Sequence, residues 1–200
     1  MKIKKIETGP IMTNAYVISD ENNKGLIIDP VYPKGKIEAY IENEGISISK
    51  ILLTHTHYDH VLGLEYFRNK YGAKVYASED AKDIYNNPTY TLTNFVGNVK
   101  IIIDEFLKDG DIIEDFGLLC LKTPGHTIDS MSYVLDDNIF CGDLLFRLSV
   151  GRSDFPGGNH NILINSIKEK IMPYKDPTKI YTGHGMSTTV GYERVNNPFL

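Results

Sequence analysis

Apolar and polar positions along this chain alternate in short units, and the units predict an ordered series of strands and helices. Ile3–Glu7, Asn14–Ser19 and Gly25–Asp29 have strand character and turn punctuation between them, the last closed by Asp29 and Pro30. Ile37, Tyr40 and Ile41 recur at helical spacing and Gly45 stops them, after which Ile48–Leu53 forms a short, apolar, buried strand. Leu64, Phe67 and Tyr71 share a second helical face that ends at Gly72. In the second half, strands near Ala73–Ala77, Leu118–Lys122, Ser132–Leu135 and Ile139–Cys141 precede a helix from about Ile162 to Met172 and a last strand, Lys179–Thr182. Residues 85–105, rich in Asn, Thr and Tyr, have no clear period and are expected to form a helix and loop over a site. No low-complexity tract or long Pro/Gly/Ser linker divides the chain, so residues 1–200 are expected to form a single domain.

Composition narrows the class of protein. With 200 residues, 42% of them apolar, the chain can bury a sizeable core. A net charge of -5, from 21 basic and 26 acidic residues, leaves no basic surplus for phosphates, so no nucleic acid is expected as a partner. No apolar run approaches the roughly 18 residues of a membrane span, and MKIKKIETGP lacks the apolar core of a signal peptide. A soluble, cytoplasmic protein with no membrane contact is expected. The two cysteines, Cys120 and Cys141, have no CxxC spacing and are expected to be buried free thiols.

Residues 54–60, THTHYDH, hold three of the chain's six histidines and follow directly on the apolar run Ile51–Leu53. Alternate residues at a strand end point to one side, so His55 and His57 can grip one ion together. Asp59 and His60 fall where the chain turns into the next helix and can fold back to hold a second ion beside the first. The remaining ligands belong at other strand ends. TPGHT puts His126 after Leu118–Lys122, IFCGDLLF puts Asp143 after Ile139–Cys141, and YTGHG puts His184 after Ile180–Thr182. Each adjoins a glycine, which lets the backbone turn sharply and approach an ion. Taken singly, Asp143 is equally a turn residue or a helix cap and His126 a satisfied loop histidine; beside THTHYDH they are candidate ligands. His160, in GGNH, is expected to be an exposed loop histidine.

Together THTHYDH, TPGHT, GDLLF, GRSDFPGG and GHG followed by TTVGYERVNNPFL resemble the metallo-β-lactamase superfamily over nearly the whole chain, and within it the glyoxalase II-like hydrolases. The resemblance implies an α+β fold, an αββα sandwich of two mixed β-sheets flanked by helices, with a metal site where the sheet edges meet. It implies that His55, His57 and His126 bind the first of two divalent metal ions, that Asp59, His60 and His184 bind the second, and that Asp143 bridges both. Asp29, in LIIDP, matches an aspartate with a supporting role. Zinc is the expected metal, and iron or manganese suits imidazole and carboxylate as well. A carboxylate-bridged pair leaves positions open for water, so the implied activity is hydrolysis by a metal-bound hydroxide, with Asp59 as the catalytic group that orients it and takes its proton. A small-thiol thioester fits this chemistry, because a thiolate with pKa near 8.5 leaves without a strong general acid. The ions leave the pocket locally about +1, which favours a small anionic acyl-thiol substrate. Arg152, in GRSDFPGG, matches a substrate-contacting lysine of glyoxalase II and could clamp a carboxylate; equally, it could pair with Asp154.

Two departures from glyoxalase II bear on the substrate. The C-terminal helical domain that supplies glutathione contacts there has no counterpart in this sequence, and the tyrosine after its last metal histidine is replaced here by Gly185, Met186 and Ser187. A shorter, more open pocket is implied, suited to another small-thiol thioester such as a lactoyl conjugate. Persulfide dioxygenases also resemble the chain, in THxHxDH and GR-x-D-F, and would use His55, His126 and Asp143 around one iron. Lactonase or β-lactamase activity fits the same scaffold, and a non-catalytic metal-binding module is the reading outside enzymes.

Overall fold

The computed structural model describes residues 1–97 and 99–200. Two six-stranded mixed sheets face each other between helices. In the first sheet β1 (Lys2–Thr8), β2 (Thr13–Ser19) and β3 (Lys24–Ile28) are antiparallel neighbours, and β4 (Ser47–Leu52), β5 (Lys74–Ser78) and β6 (Glu105–Leu107) follow in parallel. Parallel neighbours need long crossovers. These contain α1 (Lys36–Glu44) between β3 and β4, and α2 (Tyr58–Val61) and α3 (Leu64–Tyr71) between β4 and β5. In the second sheet β7 (Ile112–Ile113), β8 (Leu118–Lys122), β9 (Met131–Leu135) and β10 (Asn138–Gly142) form an antiparallel meander. A separate hairpin, β11 (Leu145–Phe146) and β12 (Ser149–Val150), and α4 (His160–Ser166) precede β13 (Lys179–Thr182), which pairs in parallel with β10; β14 (Thr188–Thr189) and α5 (Val190–Asn196) end the order.

The two-residue period of the strands sorts their side chains into three apolar layers. Ala15, Val17, Ile27 and Ile51 face α1 and α3, packing on Ile37, Ile41, Leu64 and Phe67. Their neighbours Tyr16, Ile18, Leu26, Ile28 and Leu52 point the other way, into the space between the sheets, against Leu118, Cys120, Met131, Tyr133 and Phe140. Ile139, Cys141 and Ile180 face outward again, onto Leu163, Ile167, Ile171 and Val190. The expected helix–sheet–sheet–helix order is therefore the one observed.

Most predicted strands and helices recur within one or two residues. Gly45 and Gly72 end α1 and α3 in the left-handed conformation, at φ 63° and 64°. The helix expected over Ile162–Met172 begins earlier, at His160, because the Asn159 side chain accepts from the Ile162 N–H, and it continues as a π-type turn over Ile167–Ile171. His160 is thus exposed on the first turn of a helix rather than in a loop. In the 85–105 stretch the expected helix is reduced to a 3-10 turn at Thr93–Phe95, and position 98 lies outside the described residues. Both cysteines are buried and free. Among the described residues, no helix is long and apolar enough to cross a membrane.

Polar ties cross between the sheets at the end where β4, β10 and β13 finish. Met131 N donates to Thr54 O at 2.8 Å, and the fully buried Tyr133 hydroxyl donates to Leu53 O at 2.7 Å. From the other side, Tyr16 Oη and Asn14 Nδ2 both donate to Thr182 O, at 2.6 and 2.9 Å. Tyr133→Phe removes one donor and leaves a buried carbonyl short of a partner. It should lower stability by about 1–2 kcal/mol, read as a lower urea midpoint with unchanged m-value; an unchanged midpoint would mean that the bond contributes nothing net.

Candidate metal centre

The residues singled out by spacing come from both sheets to one edge. His55 and His57 follow β4, Asp59 and His60 lie on the single turn of α2, His126 lies between β8 and β9, and Asp143 and His184 follow β10 and β13. Asp143 is aimed by a bulge. Phe140 pairs with Tyr181 but Gly142 with Thr182, so Cys141 is an extra residue, and Gly142 turns at φ +53°. Gly183 is required for another reason: a Cβ there would collide with Asp143 Oδ1.

Three overlapping groups of potential ligand atoms result, each with all atoms within 4.8 Å of one another: His55, His57 and His126; His55, His60 and Asp143; and Asp59, His60 and His184. His57 Nδ1 and His126 Nε2 approach to 3.0 Å. His60 Nε2 lies 3.3 Å from Asp59 Oδ2 and 3.4 Å from Asp143 Oδ1, and His184 Nε2 lies 3.3 and 3.4 Å from Oδ2 of the same two carboxylates. His126 Nε2 is 3.6 Å from Asp143 Oδ2. Asp143 therefore sits between the groups. All seven residues contribute to them.

The donor set fits metal ions on two grounds. Four of its atoms, His55 Nε2, His57 Nε2, His60 Nε2 and Asp143 Oδ1, are buried without a hydrogen-bond partner. The separations also lie near the roughly 3.3 Å edge of a tetrahedron built on zinc–nitrogen bonds of about 2.0–2.1 Å.

Outer hydrogen bonds orient these groups. Asp29 Oδ2 accepts from His60 Nδ1 at 2.8 Å, which directs the His60 Nε2 lone pair inward, while the Thr54 backbone N–H and hydroxyl hold Asp29 at 2.8 and 2.7 Å. The Arg152 carbonyl accepts from His126 Nδ1 at 2.6 Å with the same result for His126. Thr13 donates to Asp59 Oδ2 at 2.8 Å, and Thr56 to Asp129 Oδ2 at 2.8 Å. Thr13, Thr56 and Asp129 escaped the sequence reading, since single threonines and an aspartate carry no diagnostic spacing. Asp29 was found through its motif.

Charge is split unevenly across the site. Burial, with neighbouring imidazoles, pushes His55 well below its ordinary pKa and His57 down to about 3. Burial opposes charge on His60 too, but Asp59, Asp29 and Asp143 raise it well above 6.5; His184, likewise opposed by burial, is raised to about 9 by hydrogen bonds to Asp143 and Asp59. Burial would raise both carboxyls, yet His60 and then His184 hold Asp59 below its usual range and Asp143 well below it.

The seven residues line a cleft of about 530 Å³, except His55 and His60, which lie beneath them. Arg152 lines the cleft as well, but its guanidinium is engaged by Asp154 through two bonds of 2.8 and 2.7 Å. A larger cavity of about 660 Å³, by Glu65, Tyr85 and Lys100, contains none of the seven.

A family model described as the metallo-beta-lactamase superfamily matches residues 8–184. The chain is 36% identical to YqgX of Bacillus subtilis, described as a probable metallo-hydrolase, and 31% identical to the hydroxyacylglutathione hydrolase GloC of Haemophilus influenzae; each alignment covers 100% of this chain and 98% of the relative. Among solved structures, the B3 metallo-beta-lactamase BLEG-1 matches with a TM-score of 0.90 and 34% identity over 100% of this chain and 99% of that one. TTHA1623 in a di-iron-bound form matches with a TM-score of 0.88 and 30% identity over 98% of this chain and 100% of that one.

Two outcomes follow from this geometry. Asp29→Ala should weaken metal binding about 10–100-fold by releasing the His60 ring, read by competition with a chromophoric chelator. Filling the Asp59, His60 and His184 group must displace protons held on His60 and His184, whereas His55 and His57 are already neutral at pH 7. Affinity for one ion should therefore fall steeply as pH drops from about 9, and calorimetry in buffers of different ionisation enthalpy should register the larger proton release on that step; equal release on both steps would contradict the charge split.

Proposed function

The chain belongs to the metallo-beta-lactamase superfamily and is a metal-dependent hydrolase of that family; from this premise we propose that it is a binuclear enzyme that cleaves the thioester of a small thiol. The observation that carries this reading is the position of Asp143 between two buried groups of imidazole and carboxylate acceptors. His55, His57 and His126 would hold one ion, Asp59, His60 and His184 the other, and Asp143 would touch both. Zinc suits these donors, and the di-iron form of TTHA1623 supports iron as an alternative. When bound, the ions lower the pKa of water towards neutrality and polarise an acyl carbonyl. Both sheets act as one unit in this scheme, so we treat residues 1–200 as one domain.

Asp59 is the proposed proton acceptor. It lines the cleft, and its low pKa keeps it ionised at neutral pH, able to orient a water and take its proton. Thr13 fixes Oδ2 of this carboxylate. A departing thiolate requires no proton from the protein, which favours thioesters over amides at a site whose imidazoles would all be spent on holding ions. The similarity to the hydroxyacylglutathione hydrolase GloC supports the same class of bond. An anionic small-thiol substrate would meet Arg152 at its free Nη1 edge, beside the Asp154 pair.

The test combines metal content and turnover on one sample purified without added metal or chelator. Near two divalent ions per chain, with hydrolysis of a small-thiol thioester, is the expected result. About one iron per chain, oxygen uptake with a persulfide and no hydrolysis would replace this reading with a dioxygenase; cleavage of lactones or β-lactams alone would move the substrate class. Asp59→Asn should lower kcat by about 10²–10⁴-fold with the circular dichroism spectrum retained, and unchanged turnover would remove Asp59 from the mechanism.

A further inference from the structure

We propose that the acyl group received by this cleft is a predominantly apolar chain. The inference rests on the reading of the site as an acyl-thiol hydrolase and specifies what that site accepts. Ile11, Tyr58, Leu92, Phe146, Val150 and Phe155 form the walls above the imidazole and carboxylate floor. Two phenyl rings bracket the floor: Phe155 lies edge-on to His57 at 5.6 Å between centroids, and Phe146 approaches His184 at 6.1 Å. Among the described residues, Arg152 is the one Lys or Arg that lines the cleft. One edge of its guanidinium, Nε and Nη2, is committed to the Asp154 carboxylate, and its Cζ lies 3.9 Å from the Phe155 ring centroid. Among the described wall residues a polar substituent on the acyl group would find side-chain partners only at the free Nη1 edge of Arg152 and at the Ser149 and Tyr58 hydroxyls, against five apolar side chains.

The walls are fixed before any ligand arrives, which favours selectivity. Tyr58 N donates to Thr91 O at 2.8 Å, holding the segment that carries Leu92 against α2. The β11–β12 hairpin, which carries Phe146 and Val150, is held from α5 by the fully buried Glu193. Its Oε2 accepts from Leu148 N at 2.9 Å and from Asn197 Nδ2 at 2.8 Å, and Asn197 Nδ2 also donates to Ser149 O at 3.0 Å.

The experiment is calorimetric titration of the metal-loaded protein with three monocarboxylates of equal charge, butyrate, hexanoate and D-lactate, as analogues of the acyl product. Each methylene buried in the cleft should tighten binding by up to about fourfold, so hexanoate should bind about tenfold tighter than butyrate, and lactate weakest. Phe146→Ala, and Ile11→Ser at a half-exposed turn position where folding is not at risk, should each cut the hexanoate advantage severalfold while leaving lactate within about twofold. Equal binding of the two chain lengths, or lactate tighter than butyrate, would overturn the proposal. Binding here needs no bond cleavage. Graded binding without thioester turnover would sink the hydrolase reading and leave only an apolar-binding cleft, and turnover without graded binding would sustain that reading and overturn this inference.

Discussion

Lone pairs that converge where water is scarce set the terms for this structure. Imidazole and carboxylate acceptors from five segments point at one another across 3.0–3.6 Å, and burying such groups unpaired costs several kcal/mol each. Protons partly relieve the strain in one half, where His60 and His184 are held charged between Asp59 and Asp143. The other half has no such relief, because His55 and His57 are kept neutral by burial. Metal ions would satisfy both halves together, which favours a place for cations over a stabilising ion-pair network.

That convergence depends on keeping two independent sheet edges in register. β4 brings His55 and His57 from one sheet, and β10 and β13 bring Asp143 and His184 from the other. The ties between them are polar and local to the site: Tyr133 to Leu53, Tyr16 and Asn14 to Thr182, and the Asn14 N–H to Gly183 O at 2.7 Å. The apolar layer between the sheets supplies most of the cohesion but is non-directional. Directional bonds at the edge add the positional precision that apolar packing lacks. The bulge at Cys141 and the bare Cα of Gly183 complete the fit by bringing Asp143 close to the neighbouring backbone.

Much of this clustering was legible because polar residues at strand ends leave local marks. THTHYDH combines a strand period with unusual histidine density, and Gly125, Gly142 and Gly183 flag the turns beside His126, Asp143 and His184. What stayed hidden acts across long separations. Thr13 meets Asp59 and Thr56 meets Asp129 at sequence distances of 46 and 73 residues, and nothing local distinguishes these residues. α5 was missed as a helix because VGYERVN opens on a β-branched residue and a glycine. The glycine is explained by tertiary contact: a Cβ at Gly191 would lie 2.6 Å from Asp176 Cβ. The stretch around residues 85–105 resisted reading because its contribution rests on Leu92 in the cleft and the Thr91 carbonyl on α2, neither of which produces a period.

The division of labour between floor and walls has a physical consequence for how such a protein acquires selectivity. Every candidate ligand on the floor is tied to a strand end or to α2 and shares neighbours with the others, so a change there propagates through the whole charge network. Ile11 lies in the β1–β2 turn, Leu92 in an irregular segment, Phe146 and Val150 on a small hairpin outside both sheets, and Phe155 in the loop before α4. These segments lie outside the strands and α2 that carry the candidate ligands, so side chains there can vary more freely. Attack on an acyl carbonyl is largely indifferent to the chain behind it. On the proposed reading, the choice of acyl group would therefore fall to side chains that take no part in the chemistry.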